Sequence, residues 1–141
     1  MAKKYSLPFR SSENIKISPA PYHKEAGNMK HCVDFSMPEG TPVLAAREGI
    51  VVGSESRFNK SYSSPKYADR CNRIIIVHAD GEESVCVHLE WHSLKVKIGE
   101  FVKTGQLLGL SGQTGYATYP HLHFGVYDKN GKNIKIKFNK I

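Results

Sequence analysis

Two histidines separated by a single residue, His121 and His123, lie near the end of the 141-residue chain. In a β-strand successive side chains point to opposite faces, so these two imidazoles would share one face while Leu122 and Phe124 pack in the core. The arrangement suits a metal ligand beside a proton-transfer group. Two half-buried structural histidines would fit it equally well. The pair alone leaves both interpretations open.

A carboxylate and a third imidazole occupy similar settings. Asp34 lies between apolar neighbours in a predicted strand, where an unpartnered carboxylate would be costly, so a metal, an arginine or a helix N-terminus must partner it. His88 ends an apolar run, and alternation places Val85 and Val87 in the core with His88 on the opposite face, towards a site. An exposed histidine at the strand end is the alternative for His88. Asp34 and His123 together would form the mixed oxygen and nitrogen set that Zn²⁺ accepts.

The elements that must position these residues are predicted to be short strands. They are rich in valine and isoleucine and are separated by turn sequences such as Asp80-Gly81 and Asn130-Gly131. No segment has a long helical period, which predicts an all-β domain. The polar stretch from Ser54 to Asp69 is predicted to be a long functional or mobile loop. The predicted strands are Val33–Ser36, Pro42–Ala46, Gly49–Gly53, Arg73–His78, Ser84–Leu89, Gln106–Leu110, His121–Tyr127 and Ile134–Phe138.

Composition limits the partners and the class of protein. A chain of 141 residues with 40% apolar residues can form one ordinary core. Its three cysteines form no CxxC pair, and a bridge between Cys32 and Cys71 stays possible. The net charge of +7 favours anionic partners, but the lysines are scattered and predict no specific nucleic-acid binding.

No apolar run is long enough to span a membrane, and the first residues do not form a signal peptide, which leaves the localisation open. We expect a monomer.

Several blocks of sequence carry a family resemblance when they are taken together. In order along the chain they resemble the LytM/lysostaphin-type (M23) zinc endopeptidase domain. That resemblance implies a folded antiparallel sheet, similar to a barrel-sandwich of the duplicated hybrid motif type, with a groove that holds the metal. It covers most of residues 23–141, which we expect to form a single peptidase domain. Residues 1–22 are polar and contain Pro8, Pro19 and Pro21, and this composition predicts an extended N-terminal arm. The blocks are Asp34–Val52, Asn72–Gly81, Val87–Leu89, Val96–Gly99, Gly105–Gly109, Ser111–Tyr116 and His121–Phe124.

The resemblance also implies roles for the candidate site residues. One Zn²⁺ would be held by His23, Asp34 and His123. His121 would accept the proton of the attacking water, and His88 would orient that water or stabilise the oxyanion.

Two positions depart from the commonest family pattern. A ligand histidine is expected at position 30, which is Lys30 here. His31 is out of register by one residue and would face away from Asp34 in an extended strand. A variant of the family carries its ligand histidine on a loop further upstream, and the segment around His23 resembles that variant. The resemblance therefore implies His23 as the ligand, with His31 as the alternative. Tyr119 stands where a glycine is usual and is expected to narrow the cleft without removing a catalytic group.

The function implied is zinc-dependent hydrolysis of peptide bonds, with peptidoglycan stem peptides or cross-bridges as the substrate. One alternative is an inactive module that binds or activates a separate wall hydrolase. Another is a phosphocarrier that uses two close histidines. Asp34 disfavours the phosphocarrier, because a carboxylate would repel a phosphorylated imidazole.

Overall fold

A computed structural model describes residues 4–10, 15–18 and 28–139 of the chain. Short strands account for nearly all of its regular structure, and one 3₁₀ helix, Pro65–Tyr67, is described. In chain order the strands are β1 (Tyr5–Ser6), β2 (Lys16–Ser18), β3 (Val33–Ser36), β4 (Pro42–Leu44), β5 (Gly49–Glu55), β6 (Ser61–Tyr62), β7 (Arg73–Val77), β8 (Glu83–Val87), β9 (Phe101–Val102), β10 (Leu107–Leu110), β11 (Gly115–Tyr116), β12 (His121–Tyr127), β13 (Asn133–Ile134) and β14 (Phe138–Asn139).

One large sheet dominates the described part of the chain. Its strands lie in the order β2–β3–β12–β8–β7–β5–β9, with β13 also paired to β12, and every pairing within it is antiparallel. Strands β4 and β10 form a second antiparallel pair, whereas β1 with β14 and β6 with β11 pair in parallel. The predicted all-β fold built on antiparallel sheets is confirmed.

Two predicted strands, Val33–Ser36 and His121–Tyr127, have the same bounds in the structure. The predicted strand Ile134–Phe138 is wrong, since it divides into β13 and β14, which pair with β12 and β1 respectively. The predicted loop is also interrupted, because β5 extends into it to Glu55 and it contains β6 and the 3₁₀ helix. No helix among the described residues has the length and apolar character needed to cross a membrane.

Residues near the N-terminus contribute to the core. Tyr5 and Phe9 are buried, and the Phe9 ring packs edge-on against Phe35 with centroids 5.1 Å apart. The backbone of this segment is also tied down, because the Leu44 amide donates a hydrogen bond to the Pro8 carbonyl at 2.8 Å. The described residues 4–10 therefore pack as part of the β-structure. The division into an arm and a domain at residue 23 stays a prediction.

The three cysteines are buried, and no disulfide joins Cys32 to Cys71. Cys86 faces the apolar core of the large sheet, as expected for a small core residue. The fold is therefore held by its core and its strand pairing and not by a disulfide framework.

Candidate metal centre and active site

Strand β12 presents two histidines on one face. Leu122 and Phe124 are almost fully buried in the core, and His121 and His123 alternate with them on the opposite face. The central place of β12 in the sheet, between β3 and β8, fixes this register on both sides. The structure therefore has the predicted orientation of this strand, with both histidines on the face opposite the core.

Asp34 lies directly opposite His123 on the neighbouring strand, β3. The two residues are Cα partners in the pairing of β3 with β12, and the Asp34 side chain is fully buried. Nδ1 of His123 is 3.0 Å from Oδ1 of Asp34, and Nε2 of His121 is 3.8 Å from Oδ2. The carboxylate therefore lies between both imidazoles.

The charge of Asp34 acts strongly on His123. Burial by itself lowers the pKa of His123, but the hydrogen bond to the carboxylate outweighs this effect and raises the pKa above its usual range. The same negative field that holds a proton at Nδ1 would hold a cation in its place. This pair has the electrostatics of a cation site.

His121 has a defined tautomer. Its Nδ1 is 2.9 Å from the carbonyl oxygen of Tyr119, and because a carbonyl can only accept, Nδ1 carries the proton. Its Nε2 then carries the lone pair, and this buried atom has no hydrogen-bond partner among the described residues. Burial lowers the pKa of His121. A neutral imidazole with an unoccupied lone pair is suited to accept a proton.

His88 reaches the site by a break in strand alternation. Across β8 and β12, Val87 pairs with His123 on the site face and Cys86 pairs with Phe124 on the core face. Continued alternation would send His88 to the core face. Instead its φ of 71° is left-handed, which turns the side chain back towards the two other imidazoles. A left-handed backbone conformation costs a non-glycine residue about 1–2 kcal/mol, and such residues are concentrated at functional sites.

The expectation that Val85 and Val87 pack in the core is therefore wrong. Both are half-buried and line a cavity of about 230 Å³ together with His88 and His123. His88 does face the site as predicted, but on the same side as these valines. The reversal occurs because the strand ends at Val87 and the next residue adopts a different backbone conformation.

The three imidazoles form a compact group. The His88 ring centroid is 4.6 Å from that of His121 and 6.1 Å from that of His123. Nδ1 of His88 lies 2.6 Å from the Thr114 carbonyl oxygen, so it donates and leaves the lone pair on Nε2. Burial, with repulsion from the neighbouring histidine, lowers the pKa of His88 to about 3. His88 is therefore a neutral hydrogen-bond acceptor at neutral pH.

Asn72 and Thr114 hold His88 in place. The Thr114 hydroxyl donates to the Leu89 carbonyl at 2.8 Å and accepts a hydrogen bond from the backbone N–H of Asn72 at 3.1 Å. The buried Asn72 side chain also bonds the backbone of Phe58 and Leu89. No individual role for Thr114 follows from its residue type, because it contacts His88 through its backbone carbonyl oxygen, which every residue has. The glycine-rich block that contains Thr114 was the available signal.

Gly115 shows why that block is rich in glycine. Its φ is +83°, and a Cβ at this position would lie 2.5 Å from the Cβ of Cys71. Any side chain would push the loop away from Cys71 and would move Thr114, and with it the partner of His88.

The donors at Asp34 and His123 fit a zinc ion. Ligand bonds of about 2.0–2.1 Å in tetrahedral geometry separate two donors by about 3.3 Å, and the 3.0 Å between Oδ1 and Nδ1 is close to that spacing. No third histidine, cysteine, aspartate or glutamate joins them to form a metal-binding group within residues 4–10, 15–18 and 28–139. His31 lies in that part of the chain and is not brought to the pair. His23, the predicted third ligand, lies outside the described residues.

A second cavity lies next to Thr114, the residue whose carbonyl oxygen bonds His88. It has a volume of about 420 Å³ and is lined by Thr114, Gln113, Trp91 and the acidic residues Glu39 and Glu90, among others. A smaller, more apolar cavity is lined by His88 and His123 themselves.

Comparison with known proteins gives matches over most of the chain. Residues 28–136 match the Peptidase family M23. Lysostaphin from Staphylococcus simulans is 40% identical over 103 residues, which cover 70% of this chain and 18% of that protein. The peptidoglycan DD-endopeptidase ShyA from Vibrio cholerae is 38% identical over 91 residues, covering 64% of this chain and 18% of the relative. The chain thus spans about a fifth of the length of these relatives.

Solved structures agree with the sequence matches. The catalytic domain of lysostaphin from Staphylococcus simulans superposes with a TM-score of 0.61 at 30% identity, covering 93% of this chain and 84% of that one. A zinc-containing peptidase from Vibrio cholerae superposes with a TM-score of 0.67 at 26% identity, covering 98% of this chain and 41% of that one. The histidine and aspartate geometry therefore occurs in a fold shared with peptidases, and the chain belongs to peptidase family M23.

Proposed function

We propose that this protein is a zinc-dependent endopeptidase that hydrolyses peptide bonds in peptidoglycan. The observation that carries the proposal is the convergence of Asp34, His121 and His123 at one buried point, with His88 beside them. Paired metal donors next to two neutral imidazoles are suited to metal-assisted hydrolysis.

Asp34 and His123 would hold the metal, with His23 as the third ligand. When bound, Zn²⁺ would lower the pKa of a water molecule towards about 7 and polarise the carbonyl under attack. Asp34 has a second effect, since its charge compensates the positive charge that develops on His121 when this residue takes up a proton.

His121 would act as the general base. Its Nε2 lone pair is buried and 3.8 Å from Oδ2 of Asp34, so it can receive the proton of the attacking water and return it to the leaving amine. Its lowered pKa keeps it unprotonated at neutral pH before the reaction begins.

His88 would orient the attacking water. Because Nδ1 is bonded to the Thr114 carbonyl, Nε2 is an acceptor and can take a hydrogen bond from that water. Stabilising an oxyanion would need a proton on Nε2, which the low pKa of His88 disfavours. Of the two roles that the resemblance implies, orientation is the better supported.

The substrate class comes from the relatives. ShyA is a peptidoglycan DD-endopeptidase by name, and the related protein ALE-1 from Staphylococcus capitis, 40% identical over 110 residues, is a glycyl-glycine endopeptidase. The net charge of +7 is compatible with an anionic cell wall. We expect a monomer that binds one peptide strand.

The test combines metal content with turnover of purified sacculi. We expect one zinc per chain in the natural protein, with release of soluble fragments. Asp34→Ala and His123→Ala should lose zinc and activity together, because each removes a donor. His121→Ala and His88→Ala should retain zinc and lose turnover by about 100-fold or more, because the first removes the proton-transfer group and the second the residue that orients the water.

A histidine outside the group provides the matched control. His78 is also buried, with its ring nitrogens 2.8 Å from the Glu48 carbonyl oxygen and 3.0 Å from the Ser84 hydroxyl, and His78→Gln should leave zinc content unchanged. Bound zinc with no release of fragments by the natural protein would contradict the proposal and favour a module that only binds the wall.

A further inference from the structure

Tyr119 contacts both halves of the candidate site. Its ring stacks on the His121 imidazole with centroids 4.4 Å apart and an interplanar angle of 26°. Its hydroxyl donates to Oδ2 of Asp34 at 3.5 Å, and its carbonyl oxygen accepts the Nδ1 proton of His121 at 2.9 Å. The residue is half-buried and precedes β12 by two positions.

We propose that Tyr119 is a positioning residue that orients both the carboxylate of Asp34 and the imidazole of His121. Its hydroxyl acts on metal binding and its ring acts on proton transfer, so the two effects can be separated by substitution. The inference rests on the proposed function, because it assumes that Asp34 binds zinc.

The hydroxyl acts on the orientation of the carboxylate. The two oxygens of Asp34 have different neighbours, since Oδ1 faces Nδ1 of His123 while Oδ2 faces the phenol of Tyr119 and, at 3.8 Å, Nε2 of His121. A hydrogen-bond donor on Oδ2 limits rotation of the carboxylate. Oδ1 then stays directed towards Nδ1 of His123 and the proposed zinc position beside it. Outer partners of this kind change metal affinity by about 10- to 100-fold. At 3.5 Å the contact is longer than usual for two oxygens, so we expect the lower end of that range.

The aromatic ring acts on the orientation of the imidazole. The hydrogen bond from Nδ1 to the Tyr119 carbonyl fixes one point of the His121 ring but leaves its tilt free to vary. The stacked phenol ring covers one imidazole face at 4.4 Å and restricts that tilt. A small misalignment of a proton-transfer group can reduce turnover by about 100-fold without changing substrate binding.

Two substitutions separate these effects. Tyr119→Phe removes only the hydroxyl, whereas Tyr119→Leu also removes the aromatic ring. Tyr67→Phe is the matched control, since Tyr67 is a half-buried tyrosine at the end of the 3₁₀ helix that stacks on Tyr62 of β6, with centroids 4.4 Å apart. The zinc dissociation constant is measured by competition with a chelator, and the visible spectrum of the cobalt-substituted protein reports the ligand geometry.

We expect Tyr119→Phe to raise the zinc dissociation constant about tenfold and to shift the cobalt spectrum while keeping kcat at saturating zinc. Tyr119→Leu should show the same loss of affinity together with a kcat that is lower by about 10- to 100-fold at unchanged KM. Tyr67→Phe should match the natural protein in every measurement. Equal melting temperatures of the metal-free proteins would exclude a general loss of structure.

Unchanged zinc affinity and cobalt spectrum in Tyr119→Phe would overturn the role of the hydroxyl. A kcat for Tyr119→Leu equal to that of Tyr119→Phe would overturn the role of the ring. Either result, obtained with an active natural protein that binds zinc, would leave the proposed function intact. A natural protein that bound no zinc would instead overturn the proposed function and this inference together.

Discussion

At the scale of single residues, the site depends on one buried carboxylate that has several partners. Asp34 is fully buried and contacts two imidazoles and a phenol. Removing it would leave His123 without the partner that raises its pKa and would remove an oxygen donor at the same time. Residues that share partners in this way do not contribute independently, so single substitutions will not add.

Substitutions of His23 and His31 should differ in their effect on zinc binding. Since His31 is not brought to Asp34 and His123, we expect His23→Ala to lose zinc as Asp34→Ala does, whereas His31→Ala should retain full zinc occupancy. Metal content per folded chain, measured after gel filtration, tests both variants. Full occupancy in His23→Ala with loss in His31→Ala would reverse the ligand assignment.

At the scale of elements, the end of β8 creates the site by leaving regular strand geometry. The strand ends at Val87, and His88 adopts φ of 71°. Thr114 then holds the imidazole through a bond of 2.6 Å. The loop that contains Thr114 is in turn held by a hydrogen bond of 3.1 Å from the backbone N–H of Asn72 to the Thr114 hydroxyl. The position of one catalytic candidate therefore depends on three separate segments of the chain.

The left-handed backbone at His88 predicts an unusual order of stability. His88→Gly and His88→Ala remove the same imidazole and the same bond to Thr114, but only glycine adopts positive φ without steric cost. We expect the glycine variant to be more stable to unfolding than the alanine variant by about 1 kcal/mol. Urea denaturation of the metal-free proteins measures this difference.

His78 provides the control for that comparison, since it is also buried and is not in the left-handed region. There His78→Gly should be less stable than His78→Ala, because glycine has the larger conformational entropy when unfolded. An alanine variant at His88 as stable as the glycine variant would contradict the backbone argument.

At the scale of the whole molecule, the large sheet carries the site on one face and the core on the other. The N-terminal segment belongs to that core side, because Tyr5 and Phe9 are buried in it. The parallel pairing of β1 with β14 connects this segment to the end of the chain. We therefore expect residues 4–10 to contribute to the stability of the peptidase fold.

A substitution in this segment tests its contribution. Phe9→Ala removes a buried ring that packs on Phe35 at 5.1 Å, and such losses typically reduce the free energy of unfolding by about 3–5 kcal/mol. Arg10→Ala, at the exposed neighbouring position, should leave that free energy unchanged. Circular dichroism during urea denaturation measures both variants. If Phe9→Ala unfolded like the natural protein, residues 4–10 would be a dispensable arm.

Much of the fold was predictable from local pattern. Alternation and turn residues defined the strand of His121 and His123 and the strand of Asp34 with correct bounds. Prediction was weaker where a strand is short and defined by its partner. Residues 134–138 were predicted to form one strand, yet only the two end residues lie in strands, Ile134 in β13 and Phe138 in β14, which have different partners. The alternation of side chains within a segment does not predict which distant strand that segment will pair with.

The sequence by itself determined the residue types of the site, because alternation along β12 places His121 and His123 on one face whatever the remaining chain does. Only the tertiary structure decided the cross-strand pairing of His123 with Asp34, the turn of His88 towards the site and the contacts of Tyr119. These features depend on register, on a backbone angle at a strand end and on loop packing. Each of them is set by contacts between residues far apart in the chain, which no local pattern encodes.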